Sequence, residues 1–339
     1  MTRLVVPTID IAGWARGAPQ QRRAIADAVD EAATAVGFMQ ISGHGIADAA
    51  IAGLTGAMDG FFARPAEEKR AFCPPSASIN RGYSAPRSER LSHSLGVYSP
   101  DDLFEAFNVG VQADQFLSLD LPIDTYSANI WPSRPDGFRP AMVAWFRAAQ
   151  GLAHTMTDIF ALALDLPADY FHPFTDHSID VLRANNYQLP EGDVRLAPGQ
   201  LGMGPHTDFG IVTVLWADPL PGLQILDEEG GWNDVVPAPG ALLINLGDLL
   251  ARWTGDRWLS TMHRVKAPID GEGRVFRRRS AAFFHDGNAD ALITTISGAA
   301  YEPITVADHV AAKLAGSRGL QLNDKAHREA ARLGAARAV

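Results

Sequence analysis

The chain has 339 residues, 29 basic and 39 acidic, and a formal net charge of −10. That balance, with no basic stripe, argues against nucleic acid or an anionic membrane as partner and leaves a small molecule as the expected one. Hydrophobic content of 47% and charged content of 20% are those of a soluble globular protein, and no segment approaches the ~20 apolar residues that span a bilayer.

At the N-terminus, MTRLVVPTIDIAG lacks the longer apolar run of a signal peptide, with Asp10 interrupting it early, so a cytoplasmic protein is expected. The single cysteine, Cys73, excludes an internal disulfide framework and suits a reducing compartment. Residues 20–36 carry Ala, Ile and Val at helical spacing before a Gly stop and predict an amphipathic helix. GFMQIS then reads as a short strand and IADAAIAGLTGAMDGFFA as a second helix. Residues 74–135 are rich in Pro, Ser, Gly and Asp, which predicts long loops with short elements. A long helix follows over GFRPAMVAWFRAAQGLAHTMTDIFALALDL. From Val181 to about Phe284, short strands rich in Val, Ile, Leu and Phe alternate with Gly and Pro, the pattern of a double-sheet β-barrel. Residues 304–337 return to helix. Neither an internal repeat nor a low-complexity linker is present, so one compact unit is expected.

Chemistry concentrates in His206-Thr207-Asp208 and, much later, His263. Two imidazoles and one carboxylate bind Fe(II) on one face and leave open positions for an oxidising co-substrate and dioxygen. MGPHTDFGIVTVLW reads as a strand, on which residues i and i+2 project from one side, so His206 and Asp208 aim at one point. His263, in WLSTMHRVKAP, must arrive from another strand. His327-Arg328-Glu329 has the same donor spacing, but DKAHREAARLGAARA favours helix, where i and i+2 do not share a face. His327 therefore reads as a solvated helix residue.

FRRRSAAFF contains a second i, i+2 pair, Arg278 and Ser280. A run of three arginines (277–279) is ordinarily a solvated basic stretch; here it leads straight into apolar SAAFF, which turns part of it inward. Alternation puts Arg278, Ser280, Ala282 and Phe284 on one face, Arg277 and Arg279 on the other. A buried Arg needs an anion, and its planar fork grips a carboxylate bidentately. In VLRANNYQL, Asn185 and Tyr187 form a third such pair. Taken alone, that pair reads equally as a ligand-binding wall or as a half-buried strand with local bonds.

On these motifs the chain resembles the isopenicillin N synthase-like branch of the Fe(II)/2-oxoglutarate-dependent oxygenases. The resemblance also takes in VPTIDIAGW, GFMQISGHGI, PAEEKR, GLQILDEEGGWNDVVPAPGALLINLGDLLARWT and STMHRV, and is most specific over residues 181–286. It implies an α+β protein with a mainly β core, a double-stranded β-helix (jelly-roll, cupin-like) barrel flanked by N- and C-terminal helices. The implied organisation is an N-terminal helix and strand region (1–125), supporting helices (126–178), an oxygenase core (179–290) and a C-terminal helical segment (291–339). His206, Asp208 and His263 would be the iron ligands. Arg278 and Ser280 would bind the distal carboxylate of 2-oxoglutarate, with Tyr187 assisting and Asn185 near the metal-bound end. The implied reaction consumes 2-oxoglutarate and O2, releases succinate and CO2, and hydroxylates, desaturates or cyclises a small organic molecule. Two departures stand out. PIDGEGRVFR lengthens the His263-to-Arg278 gap, which a hairpin around Asp270-Gly271 and Gly273 would absorb, and Tyr187-Gln188-Leu189-Pro190 replaces the family's Tyr-Pro.

An oxidase of the isopenicillin N synthase type, using its substrate's own carboxylate at Arg278 and Ser280, is the alternative enzyme. A non-catalytic small-molecule receptor on the same fold is the alternative from another class. Among other residues, His44 reads as structural, Trp253 and Trp258 as packing, and Cys73 as packed or incidental. His285 reads as either a substrate contact or a surface residue at the barrel rim. Phe209 and Phe284 are candidate pocket walls, while Tyr83, Arg87 and Glu105 lie in the loop-rich stretch without assigned roles. Oligomeric state and primary substrate are not encoded in any motif.

Overall fold

Two β-sheets face one another, and helices cover the outer side of the larger. The computed structural model describes residues 4–76, 78–189, 196–296, 298 and 301–318. The N-terminal part contributes β1 (Thr8–Asp10), α1 (Pro19–Ala35), β2 (Phe38–Ser42), α2 (Asp48–Phe62), α3 (Ala66–Arg70), β3 (Gly82–Ser84), β4 (Glu105–Gly110) and α4 (Phe138–Ala163). Next come β5 (Val181–Tyr187), β6 (Met203–His206), β7 (Val212–Ala217), β8 (Leu223–Leu226), β9 (Trp232–Asp234) and β10 (Leu242–Leu246). The chain ends with α5 (Asp248–Trp253), β11 (His263–Val265), β12 (Arg278–His285), β13 (Leu292–Ile293), β14 (Ile304–Thr305) and α6 (Val306–Ser317). The larger sheet runs β1-β2-β10-β7-β12-β5-β4-β3 and the smaller β6-β11-β8-β9. This is a jelly-roll double sheet, but among the described residues its two sheets are not paired into a closed barrel.

Alternation divides the large sheet between two cores. Leu182 and Ala184 of β5, Val212 and Val214 of β7, Ile244 of β10 and Ala281 and Phe283 of β12 join the core beneath α1, α2 and α4. Fully buried Trp145 and Trp258 anchor that layer. The opposite face of the same strands carries Arg183, Asn185, Tyr187, Thr213, Asn245, Arg278 and Ser280 toward the small sheet. Both faces of β5 are thus buried, which is why VLRANNY mixes Leu and Ala with Arg and Asn in strict alternation.

Several expectations need correction. Residues 74–135 contain more than loops with short elements: β4 is a fully buried six-residue strand paired along its length with β5. Within EAFNVG, Glu105 is buried among partners instead of facing solvent: Lys69 Nζ at 2.7 Å, Tyr83 Oη at 2.5 Å and Asn186 Nδ2 at 2.9 Å. Tyr83 and Glu105 thereby belong to a buried network at the sheet edge. MGPHTDFGIVTVLW is not one strand; it breaks after His206 and crosses between sheets before β7 begins. His285 is neither a surface residue nor a substrate contact: it is fully buried, with Nδ1 2.9 Å from Asp180 Oδ1. Cys73 is exposed, not packed.

Other expectations hold. Trp253 and Trp258 are buried packing residues. His44 Nδ1 accepts from Ile46 N–H at 3.1 Å, a turn contact. The 270–274 insertion is a turn in which Asp270 Oδ1 accepts from the backbone N–H of Glu272 and Arg274, and Gly273 has φ +81°. His327 and Pro190 lie outside the described residues. No helix among the described residues is long and apolar enough to cross a membrane.

Candidate metal centre

His206 and His263 face each other as direct partners across the β6–β11 ladder, with ring centroids 4.2 Å apart. Each imidazole places Nδ1 against a backbone carbonyl two residues upstream, Gly204 O at 2.8 Å and Thr261 O at 3.1 Å. A carbonyl only accepts, so Nδ1 carries the proton and Nε2 presents its lone pair. Burial, with His263 adding to it, pushes His206 well below the usual imidazole range, which favours the neutral ring that can act as a donor.

Asp208 reaches the same point from the loop after β6 instead of from the strand itself. Its Oδ2 accepts from the Thr213 hydroxyl at 2.5 Å and from Asn245 Nδ2 at 2.7 Å, both on the large sheet. That leaves Oδ1 free to point at the imidazoles, 3.9 Å from His206 Nε2 and 3.7 Å from His263 Nε2. The three donor atoms lie within 4.8 Å of one another, and all three residues are buried. Two imidazoles and one carboxylate turned toward one point fit a divalent iron. Thr213 and Asn245 were not legible as site residues, since each comes from a separate strand. Thr213→Val or Asn245→Ala is expected to weaken metal affinity roughly 10–100-fold with the fold intact, as measured by chelator competition.

The residues expected from sequence to form a carboxylate clamp lie together on adjacent strands. Arg278 pairs across the sheet with Tyr187, and Ser280 with Asn185. Asn185 Nδ2 donates to Ser280 Oγ at 3.4 Å, and the Arg278 guanidinium lies 5.5 Å from the Tyr187 ring. Arg278 is 2% exposed, and its Nε has no hydrogen-bond partner among the described residues. Burial lowers its pKa. Among the described residues no carboxylate forms an ion pair with this desolvated guanidinium, an arrangement that is costly for a buried charge. Gly222, at φ +149°, brings the loop before β8 so close that a Cβ there would lie 3.2 Å from Arg278 Cδ. Arg277 and Arg279 point away, pairing with Asp59 and Asp218.

These groups line one cavity of about 110 Å³, whose wall also carries Phe209, Phe284, Leu223 and Val265. Behind β6, Asp102 accepts from Leu91 N at 2.8 Å and Gly204 N at 2.7 Å, tying the 91–95 turn to the strand that carries His206. Burial raises its carboxyl from 3.8 to about 7, outweighing those two donors. The folded state then binds this proton more tightly than the unfolded chain. Asp102's contribution to stability is full below 3.8 and declines as pH rises through 7. Asp102→Asn keeps an acceptor oxygen and is expected to flatten that part of the stability profile in denaturant melts; a variant with the wild-type slope contradicts the assignment.

Facing jelly-roll sheets around two histidines, an aspartate and a buried arginine define the non-haem iron oxygenase class. Residues 6–134 match the family model for the non-haem dioxygenase in morphine synthesis N-terminal region, and residues 179–287 match the 2OG-Fe(II) oxygenase superfamily. The chain is 35% identical over 287 residues to the 2-oxoglutarate-Fe(II) type oxidoreductase hxnY of Emericella nidulans, covering 81% of this chain and 79% of that one. It is 32% identical to the proline hydroxylase buaE of Petromyces alliaceus, covering 86% and 90%. A full-length Neurospora crassa enzyme solved with alpha-KG superposes with a TM-score of 0.81 at 27% identity, covering 93% and 97%. The chain belongs to the 2OG-Fe(II) oxygenase superfamily, in its isopenicillin N synthase-like branch, and is an oxidoreductase that uses Fe(II) and 2-oxoglutarate.

Proposed function

We propose that His206, Asp208 and His263 hold the iron, and that Arg278 and Ser280 bind the distal carboxylate of 2-oxoglutarate with Tyr187 and Asn185 beside them. The observation that carries this reading is the buried Arg278, which has no ion-pair partner among the described residues and lines the cavity where three metal donors converge. Bound iron supplies the means to activate dioxygen at the expense of 2-oxoglutarate. Residues of this chain orient the two imidazoles, leave one carboxylate oxygen free, seat the co-substrate and keep water out with Phe209, Phe284, Leu223 and Val265.

The primary substrate is a small organic molecule, and hydroxylation is the default outcome. Support comes from the cavity beside the metal donors and from relatives, one named a proline hydroxylase and one solved with thymine. The acidic chain is not built for nucleic acid or an anionic membrane, and its exposed thiol suits the cytoplasm. Screening small molecules for O2-dependent succinate release tests the reading: succinate formed one-to-one with an oxygenated product supports it. Substrate oxidation without succinate would instead indicate the oxidase chemistry that dispenses with 2-oxoglutarate.

A further inference from the structure

Away from the metal, the cavity wall carries a second set of buried charges. Arg183 sits on the same face of β5 as Asn185 and Tyr187, and its Nε donates to Asn185 Oδ1 at 3.2 Å. It lies four residues from Tyr187, the partner of Arg278, or roughly 13 Å along the strand. Its Nη2 is 2.8 Å from Glu89 Oε2, and both side chains are at most 10% exposed. Arg318, just past α6, places Nη2 3.6 Å from Glu89 Oε1, an ion pair too long for a hydrogen bond. Arg318 Nε has no hydrogen-bond partner among the described residues, and neither has the Oδ1 of Asn80, which lines the same wall.

Charge and shape both bear on what this end of the cavity takes. Two guanidinium groups share one carboxylate, so among the described residues the cluster holds one surplus positive charge out of water. Burial pushes Arg318 down to about 10, a sign of how poorly that charge is compensated. Among the described residues the neighbouring acids do little to balance it, since burial drives both Asp102 and Asp286 toward their neutral forms. Arg81, behind Arg318, adds another cation whose donors go to backbone carbonyls such as Val111 O. The same cavity wall carries the apolar side chains of Phe209, Phe284, Val310 and Leu314. A buried unbalanced cation is costly unless a ligand anion completes it.

We propose that Arg183, Glu89 and Arg318 form the recognition end of the substrate cavity, and that the molecule oxidised is a small carboxylate with an apolar body. The carboxylate lies against Arg318 and Arg183, with Asn80 beside it, and the apolar body spans the Phe209, Phe284 and Leu314 wall toward the metal. This rests on the proposed function in that Arg278 is taken up by 2-oxoglutarate, leaving the second cluster for the substrate. Specificity then comes from two separate cationic ends, one for each acid.

Iron-loaded protein saturated with 2-oxoglutarate, kept anaerobic, is the material for the test. Thermal melts and calorimetric titrations would compare cyclohexanecarboxylate and phenylacetate with their amides and with cyclohexylmethylamine. Stabilisation by the acids, but not by the amides or the amine, is the expected result. Arg318→Gln should weaken acid binding roughly 30-fold or more, and Arg183→Lys, which keeps the charge, should weaken it less. The visible absorption of bound 2-oxoglutarate should persist throughout. Equal or better binding of amide or amine, or no binding of either acid to wild type, overturns the proposal, as does acid binding unchanged in Arg318→Gln. Loss of the 2-oxoglutarate absorption on adding acid places the acid at Arg278 and also overturns it. Failure of 2-oxoglutarate to bind at all would instead sink the proposed function, so the two failures are distinguishable.

Discussion

Asp208→Ala is expected to abolish Fe(II)-dependent turnover, a loss larger than the roughly 10–100-fold that removal of an outer partner of a metal ligand causes. Asp208 supplies the only carboxylate of the three-donor group, and its Oδ1 lies 3.9 Å and 3.7 Å from the two imidazole Nε2 atoms. Alanine removes that donor and leaves Thr213 and Asn245 without their shared acceptor. Buried polar groups that lose a partner cost about 1–3 kcal/mol each, so the variant should also melt earlier. Turnover is read as 2-oxoglutarate consumed under iron saturation, beside a thermal melt. Activity within tenfold of wild type would remove Asp208 from the metal site.

Arg278→Met is the second large effect, and its two readouts move in opposite directions. Loss of a buried charge-assisted contact to a ligand carboxylate costs about 2–5 kcal/mol, so the KM for 2-oxoglutarate should rise roughly 30-fold or more. The protein without co-substrate should nevertheless be as stable as wild type or more so, because methionine removes a desolvated cation that has no ion-pair partner among the described residues. A structural arginine would behave otherwise: its removal would lower stability and leave KM nearly unchanged. Melts with and without 2-oxoglutarate separate the two, since co-substrate stabilisation should vanish in the variant.

What the sequence made legible followed from period-two alternation. Arg278 with Ser280, and Asn185 with Tyr187, share strand faces as the pattern requires, and the structure makes them direct cross-strand partners. Arg183 was readable by the same rule, two residues before Asn185, yet an arginine beside Leu and Ala does not announce a buried ion pair. His206 and Asp208 converge as expected, but only His206 does so by strand geometry; Asp208 depends on hydrogen bonds from Thr213 and Asn245. No spacing rule encodes that, because β7 and β10 come together only through tertiary pairing. The burial of Glu105 in EAFNVG was hidden for a related reason, since its partners come from α3, β3 and β5. Local pattern thus predicted which way side chains point on one strand, and missed what depends on contacts between distant segments.

Anaerobic titration of the metal-free protein with Fe(II) and then 2-oxoglutarate, followed by visible absorption, tests the central claim most directly. A charge-transfer band should grow on adding 2-oxoglutarate, vanish in His206→Ala, and require far more co-substrate in Arg278→Met. Iron binding that survives His206→Ala, or a band that forms equally well in Arg278→Met, would contradict this assignment of the site.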